Sequence, residues 1–521
     1  MTYSYSQLDR NNLQWFMTVT SRQTLQSIRV LRGEIRGLRN LMIDFKYPIT
    51  SIAGRNGSGK TTVLSLAACA FHNSTNGYRL PGRTRPYYTF SDFFIQSAEE
   101  IPPGGITISY QILSNRWRRS DRLPKGEGSA LQYREKKREG RWNSYTYRMH
   151  RPIVFLGIDR VVPHSEKSVL KGHRRSFLPS SAKGWEGNVK EIVGRILDRD
   201  YSNFEYQRHS KYQLPIVTHR GRTYSGFNMG AGENTLFGII STILDCPEGA
   251  MILIDEIELG LHEEAQGRLI RELKELCLKR QVQIICTTHS PIILDCLPPE
   301  GRIFLERIGN STQVTPGISS AFATGKLAGK PKVELDILVE DSIAQLIVEA
   351  ALPKELRLRV CIIPIGSSTA VIRHLAARFK EKRSTEVCAL LDGDKSSIRE
   401  THLKHFLSAL ESWPDKESAR NWANVRIDFL PGTKWPEAWI LEQGCNQAYQ
   451  YIAQEFGLSP EEVEDIYATA ARDGKHNEFY TAAERLNLKE EIVAHKFVKA
   501  ALLATPLESE RICKFVRRHL G

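Results

Sequence analysis

The chain has 521 residues, of which 41% are hydrophobic, 25% charged and 9% aromatic, a composition that excludes a disordered or collagen-like polypeptide and leaves room for two to four domains. No apolar run approaches the roughly 18 residues of a bilayer-spanning helix, and Met1 to Phe16 is polar with no apolar core of a secretory signal. The nine cysteines are odd in number and form no Cys-x-x-Cys pair, which argues against a disulfide framework or a zinc site; the expected setting is a reducing cytoplasm.

The formal charge is +13, as expected of a protein that meets polyanions. Much of the surplus falls in residues 116–151, where Arg116, Arg118, Arg119, Arg122, Lys125, Lys137 and further arginines up to Arg148 and Arg151 are interleaved with Trp117, Tyr133, Trp142, Tyr145 and Tyr147. Cations can release counterions from a phosphate backbone while rings stack on unpaired bases, so this stretch is a candidate nucleic-acid face, with a solvated charged hairpin as the plain alternative.

Alternating apolar residues at Ile28 to Leu31 and Met42 to Phe45 lead to Ile49-Thr50-Ser51-Ile52-Ala53, a run typical of a buried strand. Gly54-Arg55-Asn56-Gly57-Ser58-Gly59-Lys60-Thr61 follows, and then the helical run Thr62 to Phe71. Strand, glycine-rich loop and helix in this order form a phosphate cradle, in which loop N–H groups and the helix N-terminus face the phosphates. Asn56, Gly57, Ser58, Gly59, Lys60, Thr61 and Thr62 are the expected ATP-binding residues, with Lys60 at the β- and γ-phosphates and Thr61 on Mg²⁺.

Asn228-Met229-Gly230-Ala231-Gly232-Glu233 precedes an apolar helix and offers a second anion cradle, with Gly230, Gly232 and Glu233 as candidates. Because one chain needs a single cradle per nucleotide, this one is expected to cap ATP held by another copy. Ala250 to Ile254 is a further buried-strand run ending in Asp255, a candidate Mg²⁺ ligand, and Glu256, a candidate general base for the attacking water. Gln283 to Thr288 then delivers His289 at a strand end, where it suits a γ-phosphate sensor.

These residues resemble the ABC-type ATPase heads of the SMC and RecF class: Walker A at Gly54 to Thr61, signature-like segment at Gly230 to Glu233, Walker B at Met251 to Glu256, switch at His289. Met229 and Gly230 stand where that class commonly has Leu and Ser, so the resemblance implies slow hydrolysis. No long heptad region separates the Walker motifs, which excludes an SMC rod.

Residues 309–331 are rich in Ser, Thr, Gly and Pro and read as a linker. A second α/β pattern covers 332–445: Asp336 to Val339 ends at Glu340, Val360 to Ile365 reaches Gly366, and Val387 to Leu391 ends at Asp392-Gly393-Asp394. Carboxylates at the ends of parallel strands gather outside the carboxyl edge of the sheet, where a divalent cation relieves their repulsion. Residues 446–521 read as a polar helical region.

The second pattern resembles a TOPRIM domain, and a head (1–308) followed by TOPRIM resembles the OLD (overcoming lysogenisation defect) nucleases, including Gabija-type and retron-associated phage-defence proteins. The resemblance implies an α/β fold, an ATP-gated endonuclease working as a dimer or higher homo-oligomer on nucleic acid, and Mg²⁺ or Mn²⁺ held by Glu340, Asp392 and Asp394 as the catalytic group. The family's Glu-Gly-x-x-Asp is here Glu340-Asp341-Ser342-Ile343-Ala344, with Ala344 at the carboxylate position and Asp341 as a substitute; Lys434 and Glu437 are later candidates near the scissile phosphate. Two other readings stay open: an ATP-binding sensor or scaffold with an inactive TOPRIM-like domain that holds a separate toxin or nuclease (Septu-like, retron-linked or PARIS-like), and a RecF-like repair ATPase that binds DNA without cutting it.

Overall fold

The computed structural model describes residues 3–100, 104–137, 142–143, 147–309, 311–327, 333–381, 385–411 and 413–520. They fall into two compact units, Tyr3–Lys330 and Pro331–Gly521.

The first unit is built on a six-stranded sheet in the spatial order Ser311–Pro316, Arg302–Ile308, Ile49–Gly54, Gln283–Thr288, Met251–Ile254 and Ile153–Leu156. All neighbours are parallel except the first pair. Parallel strands covered on both faces need continuous apolar sequence, and Ile49–Gly54, Met251–Ile254 and Gln283–Thr288 are buried along their whole length. One face packs on helices Ala231–Asp245 and Glu263–Arg280, the other on the helix Lys60–Ala68 and a four-stranded antiparallel sheet containing Thr24–Arg32 and Ile106–Ser114. A third sheet, with the hairpin Tyr201–His209 and Tyr212–His219 at its centre, packs through Phe204 on Phe237 with the rings stacked 4.5 Å apart.

Two sequence expectations are corrected in this unit. Within 309–331, residues 311–327 are not a linker: Ser311–Pro316 pairs antiparallel with Arg302–Ile308 and completes the sheet edge. Helix Ser320–Leu327 follows, burying Phe322 and Ala323 against Ala53, Leu294 and Phe304. The turn residues that suggested a linker belong to a hairpin, and 328–331 lie outside the described residues. Nor is the basic stretch 116–151 a uniform outer face. Arg148 is buried and donates to the carbonyls of Cys69 (2.7 Å) and Tyr88 (3.0 Å), and Arg151 donates to Gly249 O (2.8 Å) and Gln283 Oε1 (2.6 Å). Arg134 is buried as well, because the edge strand Gly128–Lys136 turns it inward, whereas Arg116, Arg118, Arg119, Arg122, Lys125 and Lys137 are exposed. Arg138, Arg141 and Tyr145 lie outside the described residues.

The second unit carries a parallel sheet in the order Val360–Pro364, Leu335–Val339, Glu386–Leu391, Ile427–Phe429. The helical region expected as a separate segment at 446–521 is continuous with it. One core joins Leu335, Ile337 and Val339 to Val493, Phe497 and Val516, so the C-terminal helices are a layer of the α/β unit. The basic last helix Pro506–His519 buries Ile512, Phe515 and Val516, and its Arg511 donates to Phe429 O at 2.8 Å.

Among the described residues no helix is long and apolar enough to cross a membrane.

Candidate functional sites

In the first unit the strand Ile49–Gly54 runs into the loop that the sequence marks as a phosphate cradle, and Gly59 starts the helix Lys60–Ala68. Gly57 and Gly59 have φ of +77° and +98°, conformations that a side chain disfavours. A Cβ on Gly59 would lie 2.6 Å from Leu38 Cδ2, whereas on Gly57 it would meet nothing within 4 Å, on the open side of the loop. Asn56 is exposed in the turn, Ser58 and Thr62 are buried, and Ser58 Oγ has no hydrogen-bond partner. Lys60 Nζ donates to the carbonyls of Gly54 (2.8 Å) and Arg55 (3.2 Å). Burial lowers its pKa while Glu256, Asp255 and Glu258 oppose the shift. Arg55 in turn donates from Nε to Lys326 O at 2.9 Å.

Thr61 and Asp255 are brought together as the sequence order predicts: Thr61 Oγ1 donates to Asp255 Oδ2 at 3.1 Å. A Thr hydroxyl beside a buried carboxylate fits Mg²⁺ with its coordinating waters. Thr287 Oγ1 donates to Asp255 Oδ1 (2.6 Å) and accepts from Glu256 N (2.7 Å), and so joins the neighbouring strand to the candidate metal ligand and the candidate base. Glu256 itself has φ +49°, a strained conformation for a non-glycine residue that must be held by its surroundings. Glu258 accepts from Thr288 Oγ1 and from the backbone N–H of His289, which places this candidate sensor directly beyond the turn of Asp255 and Glu256.

Arg160 was missed by sequence reasoning. It follows strand Ile153–Leu156, and its guanidinium donates to the carbonyls of Gly157 (2.9 Å), Asp255 (2.6 Å) and Glu256 (2.6 Å). The only sequence signal is a cation just after a buried strand; its pairing with carbonyls nearly a hundred positions away is a product of the tertiary fold.

The signature-like segment packs against the loop after Asp255 and Glu256. Gly230 and Gly232 open the helix Ala231–Asp245, and a Cβ on Gly232 would lie 2.1 Å from Gly260 O, so the helix start sits tightly on the loop after Walker B. Glu233, however, is turned inward. Its carboxylate accepts from Tyr201 OH (2.5 Å) and Tyr224 OH (2.7 Å) and lies 3.6 Å from Arg199, which makes it a buried packing hub. Burial and then hydrogen bonding to Glu233 raise the pKa of both tyrosines.

In the second unit Glu340, Gly366 and Asp392 stand at or just beyond the ends of adjacent parallel strands, with Asp394 one turn on. Glu340 Oε1 accepts from Asp392 N at 3.0 Å. Glu340, Asp392 and Glu437 are all less than a tenth exposed. Burial, and after it the charges of Glu340, Asp341, Asp394 and Glu437, push the Asp392 carboxyl up to about 8; burial also raises Glu340. Asp392 Oδ1, Asp394 Oδ1 and Glu437 Oε2 are buried with no hydrogen-bond partner. Of the other oxygens, Asp394 Oδ2 lies 2.8 Å from Lys395 Nζ and Glu437 Oε1 lies 2.8 Å from His476 Nδ1. Among the described residues no group of three or more His, Cys, Asp or Glu is drawn to metal-binding spacing. Mg²⁺ commonly keeps several waters and takes only one or two carboxylates, and the partnerless oxygens of Asp392 and Asp394 offer that number.

Of the later candidates, Glu437 joins this cluster, whereas Lys434 is exposed and pairs with Glu442. Asp341 caps the helix Ser342–Ala351 by accepting from Ala344 N (2.8 Å), and Ala344 is fully buried in the core. A carboxylate at 344 would therefore be enclosed in apolar surroundings.

The cradle, the Thr61–Asp255 pair and the strained Glu256 define the first unit as a P-loop ATPase. Comparison with known families agrees: residues 32–113 match a family described as "AAA domain", and residues 189–295 one described as "AAA domain, putative AbiEii toxin, Type IV TA system". No curated protein matches the chain. Among solved structures, the SMC head domain from Thermotoga maritima aligns at 15% identity and a TM-score of 0.33, over 56% of this chain and 98% of that one. An SmcHead bound to the C-winged helix domain of ScpA aligns at 15% and 0.36, over 56% and 96%. The Smc head domain with an extended coiled coil, bound to the C-terminal domain of ScpA derived from Pyrococcus furiosus, aligns at 14% and 0.35, over 58% and 98%.

Proposed function

We propose that the chain is an ATP-gated, divalent-metal-dependent nuclease whose second unit is a TOPRIM-like cleavage site, working in anti-phage defence. The observation that carries this reading is the carboxylate set at the carboxyl edge of a parallel sheet, buried Glu340 and Asp392 with half-buried Asp394, and a partnerless oxygen on each aspartate. Glu340 and Asp392 would hold Mg²⁺ or Mn²⁺, with Asp394 as a further oxygen ligand; when bound, the metal polarises the phosphodiester and activates water. Glu340 orients the site through its hydrogen bond to the Asp392 backbone, and Lys395 keeps Asp394 in place. The exposed cations Arg116, Arg118, Arg119 and Arg122 suit contact with a nucleic-acid backbone. In the ATPase, Lys60 and the loop N–H groups would bind the phosphates, Thr61 and Asp255 the Mg²⁺, and Glu256 and His289 would act on the attacking water and the γ-phosphate. Gly230 and Gly232 would cap the nucleotide of a second copy, which makes the working unit a dimer.

The test is cleavage of supercoiled plasmid by the purified chain with Mg²⁺ or Mn²⁺, with and without ATP, beside Asp392→Ala. Metal-dependent nicking lost in the variant is the expected result; no cleavage under any condition, with ATP binding intact, would refute the nuclease reading. A second reading is favoured by Ala344, which lies in the core where the related nucleases carry a carboxylate. On that reading the chain is an ATP-binding scaffold that holds a separate toxin or nuclease.

A further inference from the structure

A cavity of about 530 Å³ lies in the first unit, between the helix Ala231–Asp245, the hairpin Tyr201–His209 and Tyr212–His219, and the segment that follows strand Ile153–Leu156. Its size is that of a small-molecule site, and no residue of the phosphate loop lines it. One wall is aromatic, with Tyr78, Trp185, Tyr206 and Tyr212. The charge is predominantly positive: Arg160, Lys167, Lys183 and Lys211 line it against Asp159 and Asp245. Asp245 is already satisfied, since it accepts from Lys183 Nζ, from Trp185 Nε1 (3.0 Å) and from Tyr78 OH (3.1 Å). Lys167 and Lys211 have no carboxylate partner among the described residues.

Two further observations concern the helix that forms the floor. Gly238 stands in its middle and lines the cavity, and a Cβ there would meet nothing within 4 Å. A glycine inside a helix weakens it relative to alanine, and here neither the backbone conformation nor close packing asks for one; what the missing side chain does is enlarge the cavity. One turn earlier, Thr235 is only 1% exposed and its Oγ1 has no hydrogen-bond partner. A buried hydroxyl left unpaired is costly, and a ligand in the cavity would satisfy it.

We propose that this cavity is an effector site for a small anion that carries a flat ring and has the size of a nucleoside monophosphate. The ring lies against the aromatic wall and the anionic group against Lys167 and Lys211. Arg160 connects the site to the ATPase, because the residue that lines the cavity holds the carbonyls of Asp255 and Glu256 with its guanidinium. The proposal is independent of the nuclease reading.

The experiment is calorimetric titration of AMP into the full chain whose phosphate loop is saturated with ADP and Mg²⁺. One AMP per chain is expected, with a dissociation constant below about 1 mM, and Gly238→Leu and Lys211→Glu should each weaken it at least about 10-fold while ADP affinity and melting temperature hold. Gly238→Ala takes little of the space and is expected to bind AMP within about 3-fold of the native chain. Saturating AMP should change ATP turnover by about 2-fold or more. Absence of AMP binding, or equal affinity in the native chain and Gly238→Leu, overturns the site; binding with unchanged ATP turnover overturns the coupling through Arg160.

Discussion

Replacing Arg160 with alanine isolates what holds the Walker B turn in its strained shape. The substitution removes three charge-assisted hydrogen bonds, two of which end on the carbonyls of Asp255 and Glu256 at 2.6 Å. Bonds of this kind are worth about 1.5–3 kcal/mol each, and water recovers part of the loss, so the stability cost is about 2–4 kcal/mol. Glu256, at φ +49°, loses a restraint on a conformation that itself costs about 1–3 kcal/mol. A relaxed turn moves its carboxylate, and a displacement near 1 Å costs about 100-fold in rate. Lys60 and the loop are untouched, so ATP affinity should hold within about 3-fold. Steady-state ATP hydrolysis, with fluorescent-nucleotide binding and urea unfolding of the same preparations, separates these terms. An Arg160→Ala protein that hydrolyses ATP at the native rate would refute the reasoning and show that Thr287 alone fixes the turn.

Asp392→Asn tests the carboxylate cluster through pH. A carboxyl whose folded pKa is raised to about 8 from the ordinary 3.8 holds its proton better in the folded state, so its contribution to stability is full below about 4 and is lost as pH rises through about 8. In EDTA the native chain should therefore melt at falling temperature across that window and Asp392→Asn should show a flatter profile; equal slopes by calorimetry would contradict the assignment. Mg²⁺ should raise the melting temperature of the native chain most above pH 8, and should not do so in the variant at the same transition. Glu233→Gln keeps an acceptor for Tyr201 and Tyr224 but removes the charge near Arg199; a loss of about 1–2 kcal/mol in urea unfolding with unchanged ATP affinity is expected, and weakened ATP binding at native stability would restore Glu233 to the nucleotide site. Gly232→Ala places a methyl 2.1 Å from Gly260 O and should cost about 1–3 kcal/mol of stability, whereas native melting would show that the helix start yields freely.

The parts legible in the sequence are those whose chemistry is local. The phosphate loop is a contiguous string whose glycines are fixed by its own backbone, and Asp255, His289, Glu340 and Asp392 could be placed because each ends an apolar run that folds as a buried strand. What escaped depends on long-range packing. Composition made 309–331 a linker, yet its β-branched residues find a partner strand and close a sheet. Charge made Arg148 and Arg151 surface residues, yet backbone carbonyls at distant positions receive them. Glu233 follows two cradle-like glycines, and only the fold brings two tyrosines over it. Lys434 and Glu437 were candidates together, and only the fold separates them: Glu437, in the first turn of the helix Pro436–Asn446, reaches the carboxylates of other strands, whereas Lys434 stays on the surface.

The bond from Arg55 to the carbonyl of Lys326 ties the phosphate loop to the last helix of the ATPase unit, a few residues before the chain leaves it. Arg55 also shares with Gly54 the task of receiving Lys60, so an ammonium drawn away by phosphate frees a carbonyl beside the very residue that fastens the exit helix. The phosphate loop and the last helix of the ATPase unit are thereby one hydrogen bond apart, so whatever holds Lys60 is felt at that helix.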